Sequence, residues 1–268
     1  MRDPEPNELV ATLTDVRRIW AVGAIHGDAT RLAALHAEIS GRFAPGDRFV
    51  YLGNYLGYGT QIQAVLDELL SFRQRHFRPG MEAGDFVYLR GAQEEMWRKC
   101  LQLQFAPNPG EVFEWMMGQG LEATVRAYGV NPDTARAHLR DGALSITRWT
   151  TGFREAVQAQ PGHDELLNGV CRAALTENGR VLFVHAGLDP ARPISEQGDI
   201  LWWGSGFFDS ITEPYGEATM IVRGYDRRHR GLAMTRHTAT VDGGCGFGGR
   251  LAAACFDSEG RALEWIEV

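Results

Sequence analysis

Five short segments place side chains that could meet a ligand directly after apolar runs. They are Gly23-Ala24-Ile25-His26-Gly27, Gly53-Asn54-Tyr55-Leu56-Gly57-Tyr58-Gly59, Gly91-Ala92-Gln93-Glu94, His185-Ala186-Gly187 and Arg223-Gly224-Tyr225. His26 and His185 offer imidazoles, which serve either as metal ligands or as structural groups hydrogen-bonded to backbone at a strand end. Both readings stand. Asn54 and Gln93 offer amides, which exchange hydrogen bonds but carry no charge and transfer no proton. Tyr225 could hold a ferric ion as a phenolate, but only beside carboxylates, and none stands at the expected positions. Asp28 and Asp226 lie next to the segments and read as solvated surface groups or, after a loop shift, as substitute ligands. Arg90 and Arg223 are the cations in or beside these segments. An arginine among neutral donors holds a phosphate or carboxylate through charge-assisted hydrogen bonds. The expected affinity is weak, nearer millimolar than micromolar, or roughly −4 kcal/mol.

The elements that must position these groups follow from periodicity. Residues 18–23 read as a buried strand ending in a glycine turn, and Leu32, Leu35, Ile39 and Phe43 follow at helical spacing. Residues 47–53 form a second such strand, Ile62, Val65, Leu66 and Leu69 a second helix, and residues 85–91 a third strand. Strand–helix alternation of this kind implies parallel pairing with crossover helices, and the loops after such strands hold the chemistry. From about residue 95 to 165 no strand is expected; Asn131-Pro132 there reads as a helix start. This stretch reads as a helical insertion covering the sheet edge or the site. Its Trp97, Phe105, Phe113, Trp115 and Trp149 are expected mainly to pack it onto the body. Strands return at Val181–Val184, 220–222, 238–241, 251–256 and 262–266, the last two as a hairpin through Ser258-Glu259-Gly260. The glycine-rich run 242–249 joins no strand to a helix, so it reads as a turn between strands, not a nucleotide loop.

Composition narrows the function classes. Hydrophobic residues make up 44% and charged residues 23%, ordinary for a globular chain. The net charge of −7 argues against nucleic acid. The densest basic run, Arg227-Arg228-His229-Arg230, reads as a solvated loop. Cys100, Cys171, Cys245 and Cys255 form neither a C-x-x-C pair nor zinc spacing, and read as idle thiols in a reducing compartment. No apolar run reaches the roughly 20 residues that span a bilayer, so no membrane partner is expected. Residues 1–6 carry no signal-peptide core, and a cytoplasmic location is the expectation.

Taken in order, the five segments resemble the signatures of the serine/threonine protein phosphatases of the PPP type, within the calcineurin-like metallophosphoesterase superfamily. The first is similar to G-D-x-H-G, the second to G-D-x-V-D-R-G, the third to G-N-H-E, the fourth matches H-A-G, and the fifth sits at a G-H or A-H pair. The closing Asp242-Gly243-Gly244 and Gly248-Gly249-Arg250-Leu251 resemble bacterial-type members. The resemblance runs from about Trp20 to the C-terminus. It implies a single four-layer α-β-β-α sandwich of two mixed sheets with the helical insertion. It also implies phosphoester hydrolysis at two divalent metals, which clamp the phosphate and activate water.

The side chains that perform this chemistry in the family differ here. The metal-ligand positions implied by the resemblance hold Ala24, His26, Asn54, Ala92, His185 and Tyr225. Asn54 stands where a carboxylate bridges both metals, and only His26 and His185 keep the family's residue type. The catalytic positions hold Gln93 for the general acid, Gly57 for its orienting aspartate and Tyr58 for a phosphate-holding arginine. A second family arginine falls at Gly204, Arg90 is retained, and Glu94 looks structural. The glycines that shape the loops are kept. A hydrolytically inactive or severely impaired pseudophosphatase is therefore expected, with a binding or regulatory role, a protein partner and a weakly held phosphate or other anion. No cofactor is expected, or at most weak manganese, iron or zinc. The alternative is a phosphatase-like hydrolase with a rebuilt or single-metal site.

Overall fold

The computed structural model describes residues 10–77, 81–204 and 206–268; the N-terminal segment 1–6 considered above lies outside the described residues. The strands are β1 (Val10–Leu13), β2 (Arg18–Val22), β3 (Asp47–Tyr51), β4 (Phe86–Tyr88), β5 (Ala173–Thr176), β6 (Val181–Val184), β7 (Met220–Arg223), β8 (Ala233–Met234), β9 (Thr238–Thr240), β10 (Ala252–Asp257) and β11 (Ala262–Glu267). The helices are α1 (Ala29–Ser40), α2 (Ile62–His76), α3 (Ala92–Cys100), α4 (Pro109–Met116), α5 (Glu122–Ala127), α6 (Pro132–Arg140), α7 (Ala143–Gln158), α8 (His163–Asn168) and α9 (Ile200–Trp203).

Two mixed sheets result. One runs β1-β5-β6-β7-β9-β8, the other β11-β10-β2-β3-β4. Side-chain alternation along the strands decides the layers. Ile19, Ala21, Val50 and Leu52 meet Val181, Phe183 and Val222 between the sheets. Trp20, Val22, Phe49 and Tyr51 point the other way, into a core shared with α1, α2 and the helices between β4 and β5. Leu182, Val184 and Ile221 pack against Leu201, Trp202 and Phe208 on the far side. That fourth layer is thin, because α9 spans only four residues. The expected α-β-β-α sandwich of two mixed sheets is present.

The parallel register of β2, β3 and β4 pairs Val22 with Tyr51 and Tyr51 with Tyr88. Their glycine-led loops therefore leave the sheet side by side. In the other sheet Val184 pairs with Arg223, which brings the loops after β6 and β7 level.

From α3 to α8 the chain is helical. Asn131 caps α6, its side chain accepting from the Asp133 N–H at 2.9 Å, with Pro132 in the first turn. Two carboxylate–imidazole–phenol rows hold α2 between sheet and insertion. His36 bridges Glu68 at 2.6 Å and the Tyr51 hydroxyl at 3.0 Å. His163 bridges Asp67 at 3.1 Å and the Tyr128 hydroxyl at 2.8 Å. The strands β1, β5 and β8 were not legible from alternation; β8 is two exposed residues and β1 carries only one buried side chain.

Candidate functional site

The loops after β2, β3, β4 and β7 meet the insertion at a cleft of about 230 Å³. His26, Asn54, Ala92 and Gln93 line its floor. Three of the residues in these loops, His26, Asn54 and Tyr58, hold left-handed backbone at φ 51°, 57° and 54°. That conformation is rare for residues with a Cβ and persists where surrounding contacts enforce it.

Glu94 supplies much of the enforcement. Buried to 2% exposure, its carboxylate accepts the N–H groups of Gly91 and Asn54 at 2.8 Å, Tyr55 at 2.9 Å and Leu56 at 3.1 Å. Glu94 thus ties the second loop to the third. Gly53 makes their close approach possible: at φ 95° a Cβ there would lie 2.7 Å from the Gly91 nitrogen.

Asn54 links two of the loops through its side chain. Its Oδ1 accepts the Gln93 N–H at 3.0 Å, and its Nδ2 faces His26 Nε2 at 3.3 Å. His185 crosses between the sheets, donating from Nδ1 to the Leu52 carbonyl at 2.6 Å. That leaves Nε2 as a bare acceptor, buried and without a hydrogen-bond partner. Burial pushes His185 down to about 4, and burial followed by the charge of His185 pushes His26 down to about 3, so both rings are neutral at pH 7. The ring of Tyr225 stacks on His185 at 5.4 Å, and burial pushes its phenol up to about 12.

The two arginines expected beside the cleft point elsewhere. Arg90 reaches Glu95 at 3.4 Å and lies over the Trp202 ring. Arg223 donates to Thr240 at 3.0 Å, pairs with Asp209 and Asp226, and lies 4.2 Å from the centre of Phe208. Neither lines the cleft, and carboxylate pairing uses the charge that an anion would need. The flanking aspartates are held by nearby partners. Asp28 caps α1, accepting the Arg31 N–H at 2.9 Å. Asp226 is buried, not solvated, and binds Arg230 at 2.6 Å.

Sequence reasoning missed five cleft residues, Met96 among them. Arg227, read as part of a solvated loop, stands at the cleft with Trp203, Trp115 and Gln119. Arg227 lies only two residues past Tyr225, and that proximity was the available signal. Of the insertion aromatics, Trp97, Phe113 and Trp149 are buried as expected, whereas Trp115 is 47% exposed and Phe105 80%. The helical segment between β4 and β5 also grips these loops. Thr124 Oγ1 accepts the Gly57 N–H at 3.1 Å, the Gln119 carbonyl accepts from the Gln93 amide at 2.7 Å, and the Gly120 carbonyl accepts the Tyr58 N–H at 3.2 Å.

These donors do not fit a dinuclear metal centre. Divalent ions of this kind need anionic oxygen to offset their charge. Among the described residues the cleft has one neutral imidazole, His26, an uncharged amide whose oxygen already accepts a hydrogen bond, and no carboxylate. Among the described residues no three His, Cys, Asp or Glu side chains gather closely enough to hold a metal. Nor is any described helix long and apolar enough to cross a membrane.

No protein-family model matches the sequence, and no curated protein does. The likeness is to solved structures and concerns the fold. A candidate diadenosine tetraphosphatase is 18% identical with a TM-score of 0.55, over 96% of this chain and 98% of that one. A serine/threonine phosphatase from Saccharomyces cerevisiae is 16% identical with a TM-score of 0.51, over 91% and 76%. A cold-active protein-tyrosine phosphatase from a psychrophilic Shewanella species is 13% identical with a TM-score of 0.57, over 97% and 84%. The chain shares the fold of these phosphatases.

Proposed function

We propose that the protein is a non-hydrolytic member of this fold, a pseudophosphatase whose cleft receives a small anion where the resemblance would put two metals. The observation that carries this reading is Asn54. At the position where a shared anionic oxygen would bridge two ions, the chain has a neutral amide whose oxygen already accepts the Gln93 N–H at 3.0 Å. The proton donor to a leaving group is absent in the same way, because Gln93 cannot transfer a proton. The role is then one of binding or regulation, exerted on a protein partner and set by what the cleft holds. Arg227 replaces Arg90 and Arg223 as the proposed anion contact, since it lines the cleft and pairs with no carboxylate among the described residues.

One observation favours a second reading, a hydrolase with a rebuilt single-metal site. His185 Nε2 is buried, unpartnered and electrostatically close to His26. A single assay separates the two. Purified protein is dialysed against manganese, its metal content is measured, and hydrolysis of 4-nitrophenyl phosphate is followed in excess manganese. The proposal expects less than about 0.1 bound ion per chain and a rate at the uncatalysed background. One equivalent of metal with turnover abolished by His185→Ala establishes the second reading and overturns the first.

A further inference from the structure

The walls of the cleft are aromatic, and they come from four different elements. Tyr58 stands in the loop after β3, Trp115 on α4, Trp203 on α9 and Tyr225 in the loop after β7. Trp115 and Trp203 meet edge to face at 5.3 Å. Tyr58 is 39% exposed and Trp115 47%. Trp203 also packs against the core, but core packing does not account for Tyr58 and Trp115, left exposed and facing the same space. Ring faces gathered in this way bind another ring.

Charge decides what that ring carries. Among the described residues no carboxylate lines this cleft and its one cation is Arg227, which also borders an adjoining pocket where Asp209 and Asp226 stand with Arg223 and Arg228. Arg227 is exposed, acts electrostatically on both Tyr58 and Tyr225, and forms no ion pair among the described residues. Its neighbour Arg230 is already committed to Asp209 and Asp226. An aromatic box with a free guanidinium and no anion repels an ammonium group and attracts an acidic one. Bare inorganic phosphate would use the arginine and leave the rings idle.

We infer that the cleft binds a small aromatic anion, one ring bearing a single phosphate-like or carboxylate group. The ring lies among Tyr58, Trp115, Trp203 and Tyr225, and the acidic group lies on Arg227. At about 230 Å³ the cleft suits one ring system, not an extended ligand. The inference rests on the reading of this cleft as a binding site, and it names the ligand class.

The test uses four anions with the intact protein, followed by tryptophan fluorescence and titration calorimetry. Phenylphosphonate and benzoate carry the ring; methylphosphonate and acetate carry the same acidic groups without it. The expected result is that at least one aryl compound binds about tenfold or more tightly than its alkyl counterpart. Whichever of phenylphosphonate and benzoate binds better identifies the acidic group. Trp115→Ala and Arg227→Ala are each expected to weaken that binding about tenfold. Arg227→Ala alters only an exposed side chain, so it stays informative if Trp115→Ala fails to fold. Equal affinity for aryl and alkyl anions overturns the inference. So does tighter binding of benzyltrimethylammonium, or unchanged affinity in Arg227→Ala. Phenylphosphonate is not hydrolysed, so its binding is read independently of any phosphatase activity. Turnover of 4-nitrophenyl phosphate would therefore remove the proposed function and leave this inference standing.

Discussion

Gln93 occupies the space that a side chain on Gly57 would need. A Cβ on Gly57 would fall 2.3 Å from both Cδ and Oε1 of Gln93, and Gly57 sits at φ 82°, where only glycine is at ease. The resemblance places an aspartate at the first position and the histidine it orients at the second. Here Gly57 leaves room that the Gln93 amide fills, so the two residues fit each other. The insertion fastens both, through Thr124 and Gln119.

Restoring one member of that pair alone is expected to harm the protein. Gly57→Asp brings a steric clash with Gln93 and a left-handed aspartate, together about 2–4 kcal/mol of destabilisation. Urea unfolding measures it. Adding Gln93→His, with its different shape, should recover part of the loss without creating phosphatase activity. A stable, active Gly57→Asp single variant would show that Gln93 moves aside freely.

Glu94→Ala should be among the most damaging single changes. It strands four buried N–H groups, of Gly91, Asn54, Tyr55 and Leu56, and each such group costs about 1 kcal/mol or more. A loss above about 3 kcal/mol in chemical denaturation is expected. A loss below about 1 kcal/mol would mean that the loops hold their geometry without it.

Acidification should weaken the fold before the carboxylates titrate. His185 is held at about 4 in the folded state by burial, below the usual 6.5, so the unfolded chain binds more protons between those values. Stability is full above about pH 6.5 and falls as the pH drops towards 4, by about 3 kcal/mol for this group. In His185→Asn the slope of unfolding free energy between pH 6.5 and 4.5 should be visibly shallower. An unchanged slope would show that the buried ring does not titrate in this window.

A chelator should leave stability unchanged. The neutral donors at the cleft need no cation to offset repulsion, since no carboxylates crowd there. Thermal midpoints with and without EDTA are expected to agree within about 2 °C. A drop of more than about 5 °C would reveal a bound ion contributing to the folded state.

The sequence by itself determined the fold to a useful degree. The sheet pairing and layer count came from the ordered resemblance of the five motifs, whereas the apolar runs 18–23 and 47–53 marked two strands and the glycines that end them marked the loops. These signals are local, spanning a few residues, so no partner element is needed to read them. The identities of Ala24, Asn54, Ala92 and Gln93 likewise told what the cleft lacks, because a missing donor atom is a property of the residue alone. Tertiary structure decided what the cleft contains instead. Arg90 and Arg223 are cations in sequence, but their charge is used by Glu95, Asp209 and Asp226, which lie up to 14 residues away along the chain. Trp115 and Trp203 are separated by 88 positions, numbered as they stand, and nothing in either neighbourhood announces that their rings lie 5.3 Å apart. Whether a side chain is spent or available depends on which distant groups the fold brings within a few ångströms, and hydrogen bonds and ring contacts act only over that range.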